Sequence, residues 1–256
     1  MRNYSKTIGA LAAASTLVVG SATANELDGE VNVGYANMYE FRFVDFGNDL
    51  FSAGFDLSYE TGPVTLSGGA WYGSWARTPG LAGINTANQE LDLYAGIGTD
   101  LGPVNLEVGY IAYLFPSFSG SNTQELYLAA GADLGWGIGL SSTAFWDFDL
   151  LNGLYVDTAL TKSFQFNDCL SLDLAVGFGY ADGLASQVAA APRVGTVDSI
   201  NGYYVSAQLP WEFRSGVTLT PYVKYTDGNS DLVTGPNPGD VGQDFFIAGV
   251  KLAVAF

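Results

Sequence analysis

The chain has 256 residues, a length that suits one all-β domain, and 26 acidic against nine basic residues give it a net charge of −17. Such acidity argues against a nucleic-acid partner, whose phosphates would be repelled, and against a basic patch docking on anionic lipid. With 48% hydrophobic and 14% aromatic residues, the charge does not signal disorder.

Residues 1–24 read as an export leader. Arg2 and Lys6 form a positive head, Ile8 to Val19 is mostly Ala, Leu and Val, and Ala22-Thr23-Ala24 offers the small residues a signal peptidase needs. Cleavage is expected before Asn25, leaving 25–256 as a single domain. The alternative, an uncleaved anchor, requires a longer span than this run of about a dozen apolar residues. Without the leader the chain keeps seven basic residues against 26 acidic ones, a net −19.

From there the dominant signal is period-two alternation. Segments near 30–40 and 50–60 come first, and in the second Phe51, Ala53, Phe55, Leu57 and Tyr59 alternate with Ser52, Gly54, Asp56 and Ser58. Segments near 64–75, 89–100, 104–115, 124–134, 139–149 and 153–165 follow. The pattern is clearest at 170–181, where Leu170, Leu172, Leu174, Val176, Phe178 and Tyr180 oppose Ser171, Asp173, Ala175, Gly177 and Gly179. Segments near 202–211, 217–226 and 244–256 complete twelve, each about the nine to eleven residues a tilted membrane strand needs. Pro221 fits poorly inside its segment and marks an expected bulge. The last segment, Phe246 to Phe256, alternates up to a terminal aromatic, the kind of ending the barrel-assembly machinery reads.

Connections alternate in length. Short turns fall at 61–63, 101–103, 135–138, 167–169 and 212–216. Longer loops fall at 76–88, 116–123, 182–201 and 227–243, with shorter ones near 41–49 and 150–152. This asymmetry, with an even strand number, predicts an all-β, antiparallel up-and-down transmembrane β-barrel of about twelve strands with both termini periplasmic. A soluble sandwich would leave two sheet edges to protect, whereas closure removes them. Tyr39, Tyr72, Trp75, Tyr113, Trp146, Tyr180, Trp211 and Tyr225, near strand ends, are expected in two interfacial girdles.

The first half of the mature chain resembles the TorF family of porins, small barrels of bacterial outer membranes. The residues that carry the resemblance are Tyr39-Glu40-Phe41-Arg42, Gly54-Phe55-Asp56, Glu90-Leu91-Asp92-Leu93-Tyr94-Ala95-Gly96, Gly109-Tyr110-Ile111-Ala112-Tyr113 with Pro116, and Glu125-Leu126-Tyr127-Leu128. The family has Gly after the Arg of the first motif, where Phe43 stands here. The resemblance implies a porin without naming its solute.

Catalytic, cofactor and metal roles find no support. The absence of His removes the usual base for a Ser nucleophile, and with one Cys it removes a common zinc site. Acids are plentiful, but no spacing singles out a catalytic pair. Cys169 forms no intrachain disulfide and lacks a basic neighbour to activate it. Asp227-Gly228-Asn229-Ser230-Asp231 lacks the glutamate that would complete a calcium loop.

Parity sends Asp56, Asp92, Glu107, Glu125, Asp133, Asp147, Asp157 and Asp173 into the lumen, together with Arg42, Lys224 and Lys251. The three bases are expected on one wall with most acids opposite. Tyr94, Tyr127, Phe145, Tyr155, Tyr204 and Tyr222 point inward too. Two readings follow. One is an outer-membrane porin passing small hydrophilic solutes or ions, weakly cation-favouring because of its acids. The other is a closed structural or interaction barrel displaying acidic loops, with the inward charges paired across a narrow interior.

Overall fold

The computed structural model describes residues 27–76, 88–117, 120, 122–185, 196–228 and 244–256. The leader, most of the three long loops at 76–88, 182–201 and 227–243, and the calcium-like segment from Asn229 onward lie outside them.

The described strands are β1 (Leu27–Phe41), β2 (Val44–Thr61), β3 (Val64–Ala76), β4 (Gln89–Leu101), β5 (Val104–Leu114), β6 (Thr123–Gly135) and β7 (Ile138–Asp147). They continue as β8 (Gly153–Asn167), β9 (Leu170–Ala185), β10 (Thr196–Gln208), β11 (Trp211–Arg214), β12 (Val217–Gly228) and β13 (Asp244–Ala255). Neighbours pair antiparallel, and β13 returns to β1 from Glu30↔Ala255 to Ala36↔Gly249, which closes the sheet. β10 and β11 both lie between β9 and β12. They are one strand broken at Leu209-Pro210, so the thirteen segments fill twelve positions around an all-β antiparallel barrel.

Two prolines account for the break. The Leu209 N–H donates to the Pro221 carbonyl at 3.0 Å, but Pro221 has no N–H to return and Pro210 has none for β9. β12 itself runs through Pro221 unbroken, paired with Val250 of β13. The irregularity expected at Pro221 therefore falls on the facing strand.

The turns after β2, β4, β6, β8 and β11 share one end of the barrel with the start of β1 and with Phe256. Gly29 and Phe256 exchange two backbone hydrogen bonds of 2.9 Å there. Gly62, Gly102 and Gly216 take the positive-φ positions of the two-residue turns. Among the described residues, the Arg42-Phe43 turn and the β7–β8 connection lie at the other end.

Alternation sorts the side chains as the sequence predicts. Val33, Phe55, Ile97, Val108, Leu128, Val176 and Val205 are exposed on the outer face. Inside, several large tyrosines each lie over a glycine of a neighbouring strand. A Cβ at Gly69 would run into Tyr94, one at Gly109 into Tyr127, one at Gly177 into Tyr204, and one at Gly249 into Tyr222. The glycines thus let the rings lie along the wall instead of standing across the bore.

Aromatic placement departs from expectation in part. Tyr72, Trp146, Trp211 and Tyr225 are exposed, and Tyr180 is half-buried. Tyr39, Trp75 and Tyr113 are buried instead, because their registers face the interior. They form part of an internal cluster with Phe41, Phe46 and Trp71.

Candidate functional site

The first hairpin leaves the wall. β1 last pairs with β13 at Ala36, and β2 regains β3 only at Asn48, so residues 39–47 pair in the ladders with each other alone. At the parting point the Asn37 side chain accepts from the Ala248 N–H at 2.8 Å and donates to the Phe246 carbonyl at 3.1 Å, finishing the β13 edge. A bulge at Tyr39/Glu40 and positive φ at Gly47 and Asp49 then bend the tip.

The tip is a two-residue turn with φ of 52° at Arg42 and 68° at Phe43. Two left-handed residues make a type I′ turn, which favours Asn-Gly. Here bulky side chains occupy both positions, at about 1–2 kcal/mol each. Their side chains account for the arrangement, because both reach the far wall.

Arg42 forks onto Glu125 of β6, with Nη1 and Nη2 each 2.7 Å from a carboxylate oxygen. Tyr113 of β5 donates to the same carboxylate at 2.9 Å. The guanidinium carbon lies 4.7 Å from the ring centre of Phe41, 4.9 Å from Phe145 of β7 and 4.5 Å from Tyr155 of β8. Phe43 packs on Tyr204 of β10, ring centres 6.4 Å apart, and lies over Gly179 and Gly202. Glu40 accepts from the Phe43 N–H and from Lys224 of β12, both at 2.5 Å. Tyr39 donates to Glu90 of β4 at 2.7 Å and packs on Trp75 of β3. The tip therefore touches strands all round the barrel and crosses the lumen at the end opposite Phe256.

The expected lining residues separate by depth. Arg42, Asp92, Glu125 and Lys224 lie in or beside the crossing. Asp92 is fully buried, with Glu90 as its carboxyl neighbour on the same face of β4. Asp56, Glu107 and Asp157 accept from Tyr94, Tyr127 and Tyr204 respectively, along the wall. Asp173 accepts from Ser163 at 2.6 Å, and Lys251 pairs with Glu30 at 3.5 Å. Asp133 is exposed at the short-turn rim, where it accepts from the Gly135 N–H. Asp147 organises the β7–β8 connection, one oxygen taking the N–H groups of Asp149, Leu151 and Asn152 and the other the Thr123 hydroxyl.

Two expectations need correcting. The three bases do not share a wall, because the hairpin carries Arg42 across to β6 while Lys251 stays beside β1. The inward rings do not divide simply into lining or filling either. Tyrosines line the wall and the hairpin fills. Glu40 and Glu90 belong to the crossing as well, and Glu90 was readable two residues before Asp92 on the same face. Among the described residues no group of three or more His, Cys, Asp or Glu side chains is arranged to hold a metal ion.

Three solved barrels share the architecture. A NanC porin is 8% identical with a TM-score of 0.53, the alignment covering 88% of this chain and 98% of the porin. A KdgM porin is 10% identical with a TM-score of 0.51, covering 89% and 99%. The COG4313 outer membrane channel from Pseudomonas putida F1 is 13% identical with a TM-score of 0.54, covering 92% and 97%. No curated protein sequence matches. Residues 21–237 match the family described as "Bacterial protein of unknown function (Gcw_chp)", and to that family the chain belongs.

Proposed function

We propose that this protein is a bacterial outer-membrane porin, inserted as a multi-pass barrel with both termini in the periplasm, that passes small hydrophilic solutes or ions. The observation that carries the reading is the sorting of the closed wall, apolar outside and lined inside by carboxylates, tyrosines and glycines. Only lipid accepts that exterior on all sides, and a wet lumen accepts that interior. The resemblance to TorF porins and the likeness to solved porins support it. The leader at 1–24 is removed on export, and the strand ending at Phe256 is the handle for the barrel-assembly machinery. Inward acids outnumber inward bases, which favours cations weakly. No catalytic role is assigned.

The second reading, a closed interaction barrel, is favoured by the hairpin across the lumen. Planar-bilayer recording across a salt gradient separates the two. Conductance steps with a reversal potential on the cation side support the porin. Absent steps, with no sugar flux in liposome swelling, would leave the closed barrel standing.

A further inference from the structure

The wall around the Arg42 guanidinium is built independently of the hairpin. Glu125 comes from β6, Tyr113, which holds its carboxylate, from β5, and the two flanking rings, Phe145 and Tyr155, from β7 and β8. A carboxylate set between aromatic faces is the arrangement that receives guanidinium and ammonium groups. Asp92 and Glu90, both fully buried on β4, lie within electrostatic reach of Arg42. The present occupant reaches the site only through two left-handed, non-glycine residues. Strained backbone of this kind gathers at clamps and switches.

We propose that Glu125, Tyr113, Phe145 and Tyr155 form a binding site for organic cations carrying a guanidinium or primary amine, and that Arg42 is its tethered resting occupant. A cationic solute that takes the Glu125 carboxylate releases the tip of the first hairpin and widens the lumen. The site is thus a recognition element and the hairpin its displaceable plug. Flux depends on the solute-path reading above; occupancy of the site does not.

The test uses the full mature barrel refolded in detergent, folding being checked by heat-modifiable gel mobility, with methylguanidinium as probe. Saturation-transfer NMR reads binding, and liposome swelling with an uncharged sugar reads flux. Arg42→Ala is expected to bind the probe saturably in the millimolar range, and R42A/E125Q to lose that binding. The wild type is expected to bind about tenfold or more weakly, since its own side chain competes at high effective concentration. Wild-type sugar flux should rise with added methylguanidinium but not with sodium chloride at equal ionic strength, and E125Q should abolish the rise. Equal binding by R42A and R42A/E125Q, or none by R42A, overturns the site. Binding with no flux in any variant keeps the site and overturns the porin reading. Should R42A not fold, Arg42→Lys, which cannot fork across both oxygens, takes its place with the same expected order against R42K/E125Q.

Discussion

Phe43 allows backbone strain and side-chain packing to be measured separately. Its φ of 68° is a conformation glycine adopts freely, and its ring is buried against Tyr204 and over Gly179 and Gly202. Phe43→Gly removes both features. Losing a buried Phe side chain costs about 3–5 kcal/mol, while relief of the left-handed backbone returns about 1–2 kcal/mol. Packing wins, and F43G should weaken hairpin docking by about 2–3 kcal/mol, a factor of roughly 30–150 in the undocked population. Phe43→Ala loses the same ring but keeps the strain, so it should be worse than F43G by about 1 kcal/mol. Amide hydrogen exchange across residues 39–47 of the refolded protein reads both differences, because an undocked tip keeps only its own few hydrogen bonds and frays into water without unfolding the wall. Equal protection in F43A and F43G would refute the strain argument. Wild-type protection in F43G would refute the packing argument.

Other substitutions test the remaining contacts. Glu125→Ala leaves the Arg42 charge buried without its partner and should cost about 3–5 kcal/mol of tip protection, whereas R42A/E125A should cost less than the sum of the single changes. Gly177→Ala pushes Tyr204 from the wall and crowds the Thr158 carbonyl. It should lower the urea midpoint by more than Gly102→Ala, which faces open space and meets only its φ of +70°. A reversed order would show that the rings do not depend on the glycines. Trp136, 90% exposed on a short turn, should be strongly quenched by brominated lipid carrying the label near the head group, and weakly by deep labels.

Most of the wall was legible because a strand's period of two leaves little freedom. Once Leu170, Leu172 and Leu174 face out, Asp173 must face in, and the same count places Asp92, Tyr204 and Lys224. Trp75 and Tyr113 lie near strand ends, yet parity sets their side, and both face the interior rather than a girdle. The break at Leu209-Pro210 was harder to see, since one proline acts through a facing strand that is distant in sequence. The hairpin crossing could not be counted out at all. Residues 37–47 alternate much as wall residues do, and whether a hairpin stands above a barrel or folds into it depends on partners on β6, β10 and β12. Two local signs were nevertheless present. Phe41, Phe43 and Phe46 are too apolar for a solvated tip, and Arg42-Phe43 occupies a turn whose backbone suits Asn-Gly. The glycine of the TorF pattern at the Phe43 position fits the same backbone.

Open and closed lumens are usually treated as alternatives, but here the residues divide them by depth. Below the crossing, Tyr94, Tyr127 and Tyr204 hydrogen-bond to Asp56, Glu107 and Asp157, and the glycines hold their rings flat. Each pairing fixes a ring against the wall and leaves a carboxylate facing the bore. At the crossing, charge is paired across the lumen instead, Arg42 with Glu125 and Lys224 with Glu40. Wall tyrosines cannot move inward without giving up their carboxylates. The hairpin tip can move without breaking a wall ladder, because residues 39–47 pair in the ladders only among themselves. Whatever sets the width of this barrel therefore acts on the few contacts of one tip, and the least replaceable of them is the fork between Arg42 and Glu125.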